Sequence, residues 1–132
     1  MASTELVLVR HGETQSNLEQ LLHGRTDVPL TPLGEWQALR VAQRVDQIGG
    51  ASALYSSPLL RAHATAQRIS ELIGIDPVLL ADLTEYHFGD FEGYSLATVQ
   101  ESHPEIFLRA IDTSDIDFRF PNGESRREFN LR

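Results

Sequence analysis

Leu6-Val7-Leu8-Val9-Arg10-His11-Gly12-Glu13-Thr14 sets the terms on which the rest of the chain is read. An uninterrupted Val/Leu run stops at an arginine, a histidine and a glycine. An apolar run of this length without alternation predicts a strand buried on both faces, as in a parallel sheet covered by helices. The polar residues then fall at its carboxyl end, where open α/β sheets place their ligands. Arginine beside histidine at that place predicts an anion site that contains a nucleophile or a base.

Composition bounds what such a site can serve. With 132 residues and 41% apolar content, the chain is expected to form a single domain, 1–132, with its own core. A formal charge of −8 argues against nucleic acid or an anionic membrane as partner, so an anionic ligand needs locally concentrated positive charge. All eleven basic residues are arginine, each able to grip a phosphate with two donors, although arginine-rich codon usage produces the same pattern. The absence of cysteine removes disulfide frameworks and thiolate metal sites. No apolar run is long enough for a signal or a membrane span, and a cytoplasmic location is expected.

Along the chain, residues 15–22 read as a short helix or turn and 23–27 as a loop. Thr31-Pro32 supplies a cap and a first-turn proline for a long helix that Gly49-Gly50 ends. Its apolar stripe of Trp36, Leu39, Ala42 and Val45, widened by Val41 and Ile48, is expected in the core. Residues 53–55 and 78–80 read as further strands. Between them lies a helix capped by Ser57-Pro58, closed by Gly74, and buried through Leu59, Ala62, Ala66, Ile69 and Ile73. The resulting β-α-β-α-β rhythm predicts a layered α/β sandwich with a mostly parallel sheet. Arg61 falls in the first turn of the second helix, where a cation is unfavourable unless an anion shares the place. Residues 85–93 mix acids, aromatics and glycines with no period and form a loop. Short helices follow over 95–101 and 104–111, and Ser125-Arg126-Arg127-Glu128 reads as a capping box after the turn Pro121-Asn122-Gly123-Glu124.

Five blocks in this order resemble the signature of the histidine phosphatase superfamily, the phosphoglycerate mutase-like proteins. They are Arg10-His11-Gly12-Glu13-Thr14 with Asn17, Pro29-Leu30-Thr31-Pro32-Leu33-Gly34, Ser56-Ser57-Pro58-Leu59-Leu60-Arg61-Ala62, the stretch Leu83-Thr84-Glu85-Tyr86-His87-Phe88-Gly89-Asp90-Phe91-Glu92-Gly93, and Pro121-Asn122-Gly123-Glu124-Ser125. The resemblance implies a three-layer α/β/α sandwich and phosphomonoester hydrolysis through a phosphohistidine on His11, with neither metal nor cofactor. It implies that Arg10 and Arg61 hold the phosphate oxygens, that Gly12 permits close backbone approach, and that Asn17, His23 and Gly24 contact the substrate. Glu85 becomes the proton donor to the leaving oxygen. Read from the residues alone, Glu13, Asp90 and Glu92 are competing acids, Asn17 is equally a helix cap, and His23-Gly24 equally a plain loop. His87 is a further candidate for the pocket wall, whereas His63 and His103 read as exposed helix-end residues. Tyr86 stands where cofactor-dependent mutases carry an arginine, which places the chain nearer the small phosphomonoesterases.

The pattern also departs from the family. A second histidine, expected late in the chain before a glycine, has no match, so activity is expected to be weak or lost. The last helix ends after about two turns, and the domain is expected to be C-terminally incomplete. An incompletely covered sheet would invite homo-oligomerisation or strand exchange. A small phosphorylated molecule is the expected ligand. The alternatives are mutase-type phosphoryl transfer and a catalytically inactive phosphoester-binding or interaction domain.

Overall fold

Side-chain caps start some of the helices but not all of them. The computed structural model describes residues 3–132; Met1 and Ala2, the start of the expected domain, lie outside the described residues. Thr14 opens α1 (Gln15–Leu18): its hydroxyl accepts the Asn17 N–H, and the Asn17 side-chain oxygen accepts the Thr14 N–H at 2.9 Å. Thr31 caps α2 (Pro32–Gln47) by accepting the Gly34 N–H, and Pro32 fills its first turn. Strand β1 (Tyr55–Ser56) leads into α3 (Leu60–Ile73), which Gly74 ends in the left-handed region at φ 72°. The expected Ser57-Pro58 start of α3 is corrected: the N-cap is Leu59, without a side-chain cap, and the Ser57 hydroxyl accepts the Leu59 N–H ahead of the helix.

Strand β2 (Val78–Leu79) returns parallel to β1, with Tyr55 opposite Val78 and Ser56 opposite Leu79. The β1-α3-β2 crossover makes the molecule α/β, with a small parallel sheet. Two 3₁₀ turns, Ala81–Leu83 and Gly89–Phe91, bracket the loop that carries Glu85. Next come α4 (Leu96–Ser102), capped by Ser95, and α5 (Pro104–Ile111). The Ser125/Glu128 capping box opens α6 (Arg126–Leu131) as expected.

Two apolar clusters hold these elements together. Ala42 and Val45 of α2 meet Ile69 of α3, with Val41, Leu54 and Ile73 packed around them. Phe91, Val99, Phe118 and Phe120 form the other, against Tyr86, Phe88 and residues of α5. α2 turns its small side inward, burying Gly34, Ala38, Ala42 and Val45. Trp36 is 58% exposed and Leu39 41% exposed, which corrects the expected Trp36–Leu39 core stripe. Helical period aligned those residues on one face, but α3 packs on the neighbouring face, where small residues permit close approach. Trp36 instead lies beneath the Arg40 guanidinium, 5.9 Å from the ring centroid.

The expected strand over 6–9 is corrected too. Those residues have no regular secondary structure, and Leu6 and Leu8 are 78% and 85% exposed. A strand exists through the ladder it makes, and among the described residues no backbone donor or acceptor pairs with 3–10.

The chain becomes anchored at Gly12. A Cβ there would lie 2.2 Å from the Gly34 carbonyl oxygen, and one on Gly34 would lie 2.1 Å from the Glu13 carbonyl oxygen. Only a pair of glycines allows this backbone-on-backbone contact between the His11 turn and the start of α2. Glu13 reinforces it, accepting the Thr31 N–H on its carbonyl and the Thr31 hydroxyl on its carboxylate at 2.7 Å.

Candidate active site

Arg10, His11, Asn17, His23, Arg61 and Glu85 line one cavity of about 430 Å³, with Leu21, Leu22 and Phe88 as its apolar wall. The structure therefore brings together all the expected site residues except the two glycines, which shape its walls from behind. Gly24 is buried, and a Cβ there would lie 1.7 Å from the Tyr86 carbonyl oxygen, so the 23–27 loop is wedged against the Glu85 loop. The close approach that Gly12 permits is to Gly34 of the protein itself.

The His11 ring is fixed by its neighbour. Nδ1 lies 2.6 Å from the Gly12 carbonyl oxygen, which can only accept, so Nδ1 carries the hydrogen and the lone pair of the neutral ring falls on Nε2. Burial pushes the His11 pKa below the ordinary 6.5. The Gly12 carbonyl opposes that shift, while Arg61, Arg10 and His23 add to it. Neutral imidazole is thus the favoured form at neutral pH. The His23 ring stands 6.3 Å away, edge to face, with Nδ1 3.2 Å from the Leu21 carbonyl and Nε2 3.3 Å from the Thr14 hydroxyl.

Arg61 is the most enclosed charged group, 2% exposed. Its Nη1 donates to the Thr26 carbonyl at 3.1 Å, and Nη2 donates to those of His23 and Gly24 at 3.1 and 2.7 Å. Three of the five guanidinium N–H groups are thereby used, leaving Nε–H and one Nη1–H for an anion. Burial lowers the Arg61 pKa, and Glu85, Asp27 and Glu92 partly offset this. Arg10, by contrast, is exposed and has no hydrogen bond or ion pair among the described residues.

Thr65 joins the two halves of the site. Its buried hydroxyl accepts the Gly12 N–H at 3.2 Å and donates to the Arg61 carbonyl at 2.8 Å. The Asn17 oxygen closes the α1 cap, as one of its two expected roles requires, and the residue also borders the cavity.

Of the four competing acids, Glu85 alone lines the cavity. Glu13 is bound to Thr31, Asp90 accepts from the Asn122 side chain at 2.8 Å, and Glu92 accepts from the 25–26 backbone. His87 faces Glu92 at 3.7 Å and lies outside the cavity lining, so it drops out as a wall residue. His63 and His103 also lie outside the lining. His103 is half-buried between α4 and α5, with its ring 5.0 Å from Phe91.

Residues 6–132 match the sequence model described as the histidine phosphatase superfamily, branch 1. The chain belongs to that superfamily. It is 37% identical over 128 residues to a probable phosphoglycerate mutase, GpmB, of Escherichia coli O1:K1, covering 97% of this chain and 59% of the relative. A solved mycobacterial glucosyl-3-phosphoglycerate phosphatase complexed with VO3 superposes with a TM-score of 0.82 at 29% identity, over 92% of this chain and 59% of that one. A putative alpha-ribazole-5'-P phosphatase from Escherichia coli K-12 gives 0.80 at 28% identity, over 93% and 60%. The chain thus spans about three-fifths of the length of these histidine phosphatase relatives.

Like Thr65, Arg132 escaped the sequence reading, and Glu124 entered it only as part of a turn and motif block. Arg132 donates to both carboxylate oxygens of buried Glu124, at 2.6 and 3.0 Å, and also to the backbone carbonyls of Asp82 and Glu85. The Arg132 contact holds the Glu124 carboxyl below the usual carboxylate range. Together they fasten α6 to the loop that presents Glu85. Eight positions apart, with their target far upstream, they leave no local pattern to read. Among the described residues no cluster of acids and histidines could hold a metal, and no helix is long and apolar enough to cross a membrane.

Proposed function

We propose that this chain carries the phosphoryl-accepting part of a phosphomonoesterase that works through a phosphohistidine on His11. The observation that carries the reading is the His11 ring, held through Nδ1 by the Gly12 carbonyl in a cavity it shares with Arg10, Arg61 and Glu85. In the first step the Nε2 lone pair forms a bond to phosphorus while the ester P–O bond breaks. The Glu85 carboxylic acid gives its proton to the departing oxygen, which leaves as an alcohol. Arg61, through its two free donors, and Arg10 carry the charge of the non-bridging oxygens. In the second step water attacks the phosphohistidine, Glu85 takes the proton back, and inorganic phosphate leaves. Asn17 and His23 contact the bound phosphoester, and neither a metal nor a cofactor has a part in these steps.

Similarity to a probable phosphoglycerate mutase favours a second reading, in which the same phosphohistidine returns its phosphoryl group to a hydroxyl of phosphoglycerate. The residue after Glu85 favours hydrolysis. Tyr86 turns into the aromatic cluster, 5.1 Å from Phe88 and 5.7 Å from Phe129, and supplies no cation to a substrate carboxylate.

Incubation with an aryl phosphate tests the proposal, comparing the chain with His11→Ala. Release of phosphate and acid-labile label on the unaltered chain, both falling to background in His11→Ala, is the expected result. Equal rates in the two proteins would refute it. Conversion of 3-phosphoglycerate to its 2-isomer without net phosphate release would favour the mutase reading instead.

A further inference from the structure

Glu92 was a candidate proton donor in the sequence, yet its carboxylate is turned away from the cavity. It is only 11% exposed and is filled with donors: Oε1 accepts the Arg25 N–H at 2.9 Å, and Oε2 accepts the Thr26 N–H at 2.6 Å together with the Thr26 hydroxyl. Burial alone would raise its pKa, but these hydrogen bonds outweigh it and hold the carboxyl below its ordinary range.

The peptide unit between Gly24 and Arg25 connects this carboxylate to the phosphate site. It is trans, so its N–H and C=O point in opposite directions. The N–H donates to Glu92, and the carbonyl on the other side accepts from Arg61 Nη2 at 2.7 Å. An anion and a cation therefore face each other across one amide, and each polarises it in the sense that strengthens the other's hydrogen bond. The loop has little freedom to adjust. Gly24 is pressed against the Tyr86 carbonyl, and Asp27 accepts the Leu60 N–H at the start of α3 at 2.7 Å.

We propose that Glu92 is a positioning residue of the phosphate site, fixing the 23–26 loop so that its carbonyls aim the Arg61 guanidinium into the cavity. The proposal rests on reading that cavity as a phosphate site. Both carboxylate oxygens are needed. In Glu92→Gln one of them becomes an NH₂ group that must face an N–H donor, so the clamp loses one side.

Calorimetric titration of the full chain with inorganic phosphate tests this, together with Glu92→Gln and Val99→Ala. Val99 belongs to the same aromatic cluster as Phe91 and touches none of the 23–27 hydrogen bonds, so it controls for general loosening. Glu92→Gln is expected to weaken phosphate binding on the order of tenfold, and Val99→Ala to leave affinity unchanged while lowering the melting temperature. Unchanged affinity in Glu92→Gln, or an equal loss in Val99→Ala, overturns the proposal. A second measurement separates its failure from failure of the phosphate reading. Amide exchange at Arg25 and Thr26 and the Arg61 Nε resonance are compared between the unaltered chain and Glu92→Gln without ligand. Faster exchange with a displaced Arg61 signal supports the positioning role even if the unaltered chain binds no phosphate. An undisturbed Arg61 signal refutes it.

Discussion

Two arginines face the same cavity from opposite physical settings. Arg61 sits on a long helix, is almost wholly buried, and spends three donors on the carbonyls of one loop. Arg10 ends an apolar stretch that no strand accompanies, and its side chain is exposed and unpaired among the described residues. One cation is preorganised by the fold, and the other is not held by any contact among the described residues. Preorganised charge stabilises a transition state without reorganisation at the moment of reaction, whereas an unordered side chain loses entropy on binding. On the proposed function the difference also separates stability from binding: Arg61 would serve both, whereas Arg10 makes no contact that holds the fold among the described residues.

Substitution of the two residues by methionine would break that contrast or confirm it. Arg61→Met strands three carbonyls and is expected to destabilise the chain by about 2–4 kcal/mol. Arg10→Met is expected to stay within about 0.5 kcal/mol. Urea unfolding measures both, and phosphate affinity should fall in each; equal stabilities would dissolve the distinction. Thr65→Val sharpens it. Loss of the hydroxyl leaves the Gly12 N–H and the Arg61 carbonyl without their bridge, at a cost of about 1–2 kcal/mol. Phosphate affinity should drop as well, because the His11 turn loosens relative to Arg61. Trp36→Gln is the smallest effect, within about 0.5 kcal/mol in the same unfolding assay. A larger loss would restore the tryptophan to the core.

Acidity probes the buried side of the site in another way. The His11 pKa in the folded chain lies below its unfolded value near 6.5, so the unfolded chain takes up a proton first. Stability from this group is present above pH 6.5 and is lost as pH falls through that value toward the lower folded pKa. The acid limb of kcat/KM should likewise lie below 6.5, since attack needs the unprotonated ring. A profile with its acid limb above 6.5 would contradict the burial of His11.

What could be read from the residues was what is settled locally. Thr31-Pro32 and the Ser125/Glu128 box announce helices because a cap and its donor lie within one turn. The blocks around His11, Arg61 and Glu85 were legible as a set, and the fold does draw them into one cavity. Residues 6–9 misled because apolarity says that a segment could be buried, while a strand requires partners that composition does not report. Trp36 misled because periodicity picks out an apolar face without saying what lies opposite. The work of Glu92, Arg132 and Thr65 is carried largely by hydrogen bonds to residues 8 to 67 positions away in the chain, and no local pattern encodes them.

Arg61 and Thr65 are four residues apart on α3, so their backbones are separated by about 6 Å along the helix axis. On the proposed function Arg61 sets where the anion would be gripped, and Thr65 sets where the His11 turn is tied. The helix therefore acts as a ruler whose graduation is one turn. Substitutions along it change how firmly either end is held, but inserting or deleting one residue between them would swing the ends about 100° apart. A change in the length of that turn is therefore expected to disturb the site more than an exchange of side chains within it.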